Sequence, residues 1–335
     1  MRLPISEQVV VITGASQGIG RETALEMARQ GAKLVLAARN EEALGELAHQ
    51  VERLGGEAEV VPTDVAEHEQ LANLGDRATE RFGRIDTWVN DAAVSVYSRF
   101  DEMTPEEVER VIRVNLLGQM FGSQVAISHM KPRRQGRIVN IGSALSERAI
   151  PLQSAYVASK HGVQGFSEAL RLEMEHERRG IEVVVILPSS INTPLFNFAR
   201  SKMGVKPMPV PPVYEPRVVA QAICHAAEHG GREIVAGGWG KLLILAQRLS
   251  PTLLDRYMVQ GGRSFHQQKT DEPDDRRDNL FEPSTGPGST TGDFGEGSKA
   301  SSLYTSLFEL HPNRKRFALG ATLIAALTAV RHLGR

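Results

Sequence analysis

Short apolar runs rich in β-branched residues alternate with longer amphipathic stretches from residue 9 to residue 235, and this alternation constrains the fold more than any other feature. The runs cover 9–12, 33–38, 58–61, 87–89, 137–141, 183–187 and 233–235. Their length and composition predict strands. Helical patterns fill 41–54, 67–82, 104–130, 154–179 and 216–228. Strand and helix taking turns predicts an α/β fold, a doubly wound parallel sheet of about seven strands with helices on both faces. One helix start is especially well marked: Thr104 can cap, Pro105 suits the first turn, and Glu107 follows three residues after the cap.

The 39 basic and 40 acidic side chains nearly cancel, which argues against a nucleic-acid surface for the whole protein. Apolar residues at 41% and charged residues at 24% fit a soluble globular chain. Cys224 stands alone and cannot form an intrachain disulfide, and the start 1–8 lacks the apolar core of a signal peptide. A cytoplasmic protein is expected, with no metal site.

Beyond about residue 265 the chain turns charged and then rich in Gly, Ser, Thr and Pro. Such a segment buries too little apolar surface to offset its chain entropy. The expected organisation is a catalytic domain over 1–265, a disordered linker over 266–302 and a basic, apolar helical tail over 303–335. In that tail Arg314, Lys315 and Arg316 precede an uncharged stretch, 317–330. As a helix it would reach about 21 Å against a hydrocarbon core of about 30 Å. Peripheral membrane contact and docking onto the body both remain open for it.

Directly after the first strand comes Thr13-Gly14-Ala15-Ser16-Gln17-Gly18-Ile19-Gly20, and a helix pattern follows at once. Glycines there let the backbone approach a pyrophosphate, which helix N-terminal amides would hold. Farther on, Tyr156 and Lys160 stand four apart at the start of a helical pattern, so their side chains share a face. An ammonium beside a phenol would lower its pKa from about 10 toward the working range. By itself this spacing also fits a solvated helix face.

The Gly14, Gly18, Gly20 spacing and the Tyr156, Lys160 pair resemble those of the short-chain dehydrogenase/reductase family, over roughly residues 6–240. The resemblance implies a single Rossmann-like domain. It also implies an oxidoreductase that interconverts an alcohol and a carbonyl by hydride transfer, and a homodimer or homotetramer built on the long helices around the fifth strand. The family's Asn, Ser, Tyr, Lys set falls on Asn115, Ser143, Tyr156 and Lys160. Core asparagine and loop serine are the plainer readings of the first two. Cofactor contacts are implied for Gly14, Ser16, Gln17, Gly18, Ile19, Gly20, Asp64, Val65, Asn90, Ala92, Tyr156, Lys160 and Pro188, and for Ile191 and Thr193 at the nicotinamide amide. Asp64 reads equally as a helix cap.

The second strand ends in Arg39, about 20 residues past the glycines, where NAD enzymes of the family carry an acid. A guanidinium there suits a 2′-phosphate, so NADP(H) is expected, with a solvated surface cation as the alternative. Three positions depart from the family pattern: Asp91 and Ala93 in Asn90-Asp91-Ala92-Ala93, and Ser189 after Pro188. The segment 194–214 carries Leu195, Phe196, Phe198, Met203, Val205, Met208, Val210 and Val213. It is either an apolar substrate lid, implying a lipophilic substrate, or packing for the domain. A regulatory protein that binds NADPH without turnover is the second functional reading.

Overall fold

The computed structural model describes residues 3–311, apart from 179 and 275. Its main sheet consists of β1 (Val9–Thr13), β2 (Lys33–Ala38), β3 (Glu57–Pro62), β4 (Thr87–Asn90), β5 (Gly136–Ile141), β6 (Ile181–Pro188) and β7 (Glu233–Ala236). These seven strands lie in the order β7-β6-β5-β4-β1-β2-β3. Every neighbouring pair is parallel. The winding reverses between β1 and β4, and ligands of open α/β sheets gather at the carboxyl ends beside such a reversal. Thr13 pairs with Asn90 there, and Asn90 with Asn140.

The crossover helices are α1 (Gly18–Ala28), α2 (Glu41–Arg53), α3 (His68–Phe82), α4 (Pro105–Ile112), α5 (Gly118–Met130), α6 (Ser154–His176) and α7 (Pro216–His229). Successive strand residues point to opposite faces, so each strand feeds two cores. On one face Ile12 and Leu36 meet Met27, Leu47 and Ile223 of α1, α2 and α7. On the other, Val11, Val35 and Ile138 meet Leu71, Val125 and Leu170 of α3, α5 and α6. Each such fully buried side chain contributes roughly 1.5–3 kcal/mol.

The helix start at Thr104 forms as its sequence predicts. The Glu107 amide donates to the Thr104 hydroxyl at 3.3 Å, and the Thr104 amide to the Glu107 carboxylate at 2.9 Å. Glu107 is buried and also pairs with Arg200 at 3.2 Å and Lys202 at 2.8 Å. The helical pattern over 104–130 is one continuous run in space, widened by a π-helical turn over Arg113–Leu117. Such a turn inserts a residue into the ladder and re-aims its neighbours.

Two helices that the periodicity reading omitted follow the sheet: α8 (Gly238–Leu249) and α9 (Pro251–Val259).

The segment 266–302, expected as a disordered linker, lies along the body. Lys269–Pro273 pairs antiparallel with Val205–Pro207. Leu280 is fully buried, and Lys299 exchanges backbone hydrogen bonds with Val213 and Glu215 at 2.9 and 3.0 Å. Beyond it, the Thr305 hydroxyl donates to Val235 at the end of β7 at 3.2 Å. Composition measures only what a segment can bury of its own. Here, backbone groups and arginines of the body supply the partners. Arg314–Arg316 and the stretch 317–330 lie outside the described residues. Among the described residues no helix is long and apolar enough to cross a membrane.

Candidate active site

The loop after β1 brings backbone against backbone. Gly14 has φ +74°, and a Cβ on it would stand 2.8 Å from the Ala92 backbone. A Cβ on Gly20 would stand 2.5 Å from the Gly14 carbonyl oxygen. Side chains are excluded on both sides, which leaves the first turn of α1 facing the carboxyl ends of the strands. Gly14, Ser16, Gln17, Gly18 and Ile19 line a cavity of about 710 Å³. Gly20 lies behind that wall and donates its amide to Asp91.

At one end of the cavity stand Arg39, Asp64 and Val65. Arg39 donates to the carbonyl oxygens of Phe281 at 2.8 Å and Asn279 at 2.5 Å, so it is held rather than freely solvated. Asp64 accepts from the Ala66 amide at 3.0 Å and from Arg110 at 2.7 Å. Because α3 begins only after Glu67, Asp64 does not cap it.

Near the middle, α6 presents Tyr156 and Lys160 on one face, with the Lys160 nitrogen 5.5 Å from the Tyr156 ring centre. Lys160 donates to the Ile141 carbonyl at 2.8 Å, at the end of β5. The Ser143 side chain lies near enough to the Tyr156 phenol to act on its proton affinity. Ser143 also accepts from the Leu145 amide at 3.0 Å, so it caps its own loop while facing the phenol. Farther along the wall come Ala92, Pro188, Ile191 and Thr193.

Besides Gly20, two of the expected residues do not reach that wall. Asn90 is buried, accepting from Trp88 at 2.8 Å and donating to Asn140 at 2.8 Å, to Ser123 at 3.2 Å and to the Gln119 carbonyl at 3.3 Å. Its side chain ties β4 to β5 and α5; as the last residue of a strand flanked on both sides, it points inward, so its expected place along the cofactor is corrected. Asn115, in the π-helical turn, clamps the Val94 backbone, accepting at 2.8 Å and donating at 2.9 Å, and donates to Ser159 at 3.3 Å. Both asparagines are satisfied core groups. Asn115 sets the position of Val94, which does line the cavity.

Burial dominates the electrostatics. It pushes the Tyr156 phenol up to about 12, which reverses the lowering expected from Lys160. The Ser143 side chain pulls the phenol partly back down, and the Asp91 carboxylate pushes it up. Lys160 is pulled down to about 8 by burial, with Asp91 opposing. Asp91 itself is pushed up to about 7 by burial, opposed by Lys160 and by the Gly20 amide. The family departure at Asp91 thus places a carboxyl within the field of both groups.

The far end of the cavity is apolar. From the expected lid come Leu195, Phe196, Met208 and Val210, whereas Val205 joins a strand pair and Val213 packs inside. Sequence reasoning missed the opposite wall, which α8 and α9 provide through Leu243, Ala246, Leu254 and Met258. The available signal was the apolar run over 242–246 directly after the last strand.

The short chain dehydrogenase family model matches residues 8–204. An oxidoreductase of Bacillus subtilis, YxnA, is 37% identical over 276 residues, covering 82% of this chain and 77% of that protein. A 3beta-hydroxysteroid dehydrogenase of Eggerthella lenta is 38% identical over 190 residues, covering 56% of this chain and 72% of that protein. Among solved structures, an alcohol dehydrogenase of the archaeon Thermococcus sibiricus, complexed with 5-hydroxy-NADP, is similar with a TM-score of 0.59 at 27% identity. That match covers 68% of this chain and 95% of the archaeal one. With its seven-stranded parallel sheet and glycine-lined loop, this chain belongs to the short-chain dehydrogenase/reductase family of oxidoreductases.

Proposed function

We infer that the protein is an NADP(H)-dependent reductase acting on a lipophilic carbonyl compound, with the corresponding alcohol as product. The observation that carries this reading is Tyr156, flanked by Lys160 and sharing with Ser143 the wall of a cavity that continues to the glycine loop.

The chain's residues fit a nicotinamide dinucleotide. Gly14 and Gly20 let the loop pack backbone to backbone, against Ala92 and on itself, so that residues 16–19 face the cavity where α1 begins. Ser16, Gln17, Gly18 and Ile19 would hold the pyrophosphate; Asp64 and Val65 the adenine; and Ile191 and Thr193 the nicotinamide amide. Arg39 occupies the end of β2 without a carboxylate beside it in sequence, which favours the 2′-phosphate of NADP. The archaeal alcohol dehydrogenase, complexed with an NADP derivative, agrees with that choice.

When bound, the cofactor supplies hydride. The protein supplies the proton and the orientation. A phenol raised to about 12 is protonated at neutral pH, which suits Tyr156 to donate to a carbonyl oxygen. Ser143, on the same wall as the phenol, positions that oxygen. Lys160 holds positive charge beside the phenolate left behind and would bond the ribose hydroxyls. The apolar wall of Leu195, Phe196, Leu243 and Leu254 favours a lipophilic substrate, and the relative named as a steroid dehydrogenase points the same way.

Assembly into a dimer or tetramer through α5 and α6 belongs to the same reading; Leu172 on α6 is 65% exposed. The decisive experiment is a panel of carbonyls and alcohols followed by nicotinamide absorbance with NADPH and NADH. Turnover of lipophilic ketones with NADPH supports the reading. Binding of NADPH with no turnover on any member would favour a regulatory role instead.

A further inference from the structure

The geometry points to residues 278–292 as the outer wall of the dinucleotide site, a strap that closes over the adenosine half and must lift for the cofactor to come and go. This rests on the functional reading above and adds a binding element from outside the matched family region, which ends at residue 204.

Both rims of the groove anchor the strap. At one rim Asp278 pairs with Arg200 at 2.9 Å, and Leu280 is fully buried while its carbonyl accepts from Arg110 at 3.0 Å. At the other, the Gly292 amide donates to the Asn192 carbonyl at 3.3 Å, and the Phe294 amide to the Asn192 side chain at 3.1 Å. Between these anchors the strap touches Gln17 and Gly18, expected to hold the cofactor, and Asn40, which lines the same cavity. Ser284 accepts from Gln17 at 2.7 Å, the Gly286 carbonyl from Asn40 at 3.1 Å, and the Ser289 carbonyl from the Gly18 amide at 2.8 Å.

The strap roofs the adenosine end of the groove, whereas at the pyrophosphate end its Ser289 carbonyl occupies the Gly18 amide and must leave it before a phosphate binds there. Asn279, Pro283 and Ser284 line the same cavity as Arg39, Asp64 and the glycine loop, so open space lies between roof and floor. Arg39 donates to two strap carbonyl oxygens and makes no hydrogen bond to a carboxylate; Asp64 and the strap's Glu282 act on its charge from farther off, with Arg110 opposing them, so a phosphate can still draw it in. The middle of the strap bonds through backbone atoms and single hydroxyls, the kind of contact that opens locally without unfolding the body.

Amide hydrogen exchange of the whole protein, with and without NADPH, tests the assignment. NADPH should slow exchange of the 279–284 amides, which roof the adenosine end, at least about ten-fold. Faster exchange would show a plug that the cofactor expels, and unchanged exchange would show a bystander; either overturns the strap. A second measurement follows NADPH release by stopped-flow fluorescence in Asp278→Ala/Leu280→Ala, with thermal unfolding as the folding control. Release at least about ten-fold faster is expected, and an unchanged rate refutes the clasp. If that variant does not fold, exchange in the unaltered chain still decides. Absence of any NADPH binding overturns the functional reading itself, whereas binding with an indifferent strap overturns only this inference.

Discussion

Lys160 and Tyr156, one helical turn apart on α6, meet with the ammonium 5.5 Å from the ring centre, while the same ammonium is pinned to the Ile141 carbonyl at 2.8 Å. The charge is therefore fixed at the end of β5, beside the phenol it serves. Burial nevertheless outweighs the cation in setting the phenol's proton affinity, and this leaves Tyr156 a proton donor at neutral pH.

Tyr156→Phe should lower reductive kcat by at least about 10³-fold, the upper range for loss of a general acid. Its dissociation constant for NADPH should stay within about three-fold, since one hydroxyl is removed from a large contact surface. Steady-state kinetics beside a fluorescence titration measures both, and preserved turnover would remove Tyr156 from the chemistry.

Reduction should decline as pH rises through about 8, because Lys160, held down by burial, loses its proton there. Asp91 is the group opposing that depression. In Asp91→Asn the lysine falls further, so the alkaline limb of kcat/KM should move to lower pH by about one unit. A limb that stays in place would disconnect Asp91 from Lys160.

For Arg39→Ala, the ratio of kcat/KM with NADPH to that with NADH should fall about 10- to 100-fold, the range for a lost charge-assisted hydrogen bond. Arg39 also holds the Asn279 and Phe281 carbonyls, but loosening them affects both cofactors alike. An unchanged ratio would return Arg39 to the role of a structural cation.

Glu107 closes the helix start at Thr104 and receives Arg200 and Lys202 while almost fully buried. Glu107→Ala removes the cap's return bond and one partner each of Arg200 and Lys202, which keep Asp278 and the Glu102 carbonyl, so a loss of about 1–2 kcal/mol is expected. Urea unfolding should show a lower midpoint at unchanged slope. Glu107→Gln keeps the bond to the Thr104 amide and should cost less. Equal losses in the two variants would discount the cap's return bond, and a Glu107→Gln variant as stable as the original would discount the ion pairs.

The α/β alternation, the glycine loop between β1 and α1, the cap at Thr104 and the shared face of Tyr156 and Lys160 were all legible in the sequence. Each depends on residues only a few positions apart, and local periodicity alone determines which way their side chains point. What only the tertiary structure decided involves distant partners or loss of water. Arg39 finds its acceptors 240 and 242 residues away, in a segment whose own composition predicts no order. Asn90 turns inward because Asn140, Ser123 and Trp88 surround it. The Tyr156 phenol rises because packing strips it of solvent, and no neighbour in the chain announces how completely a side chain will be buried.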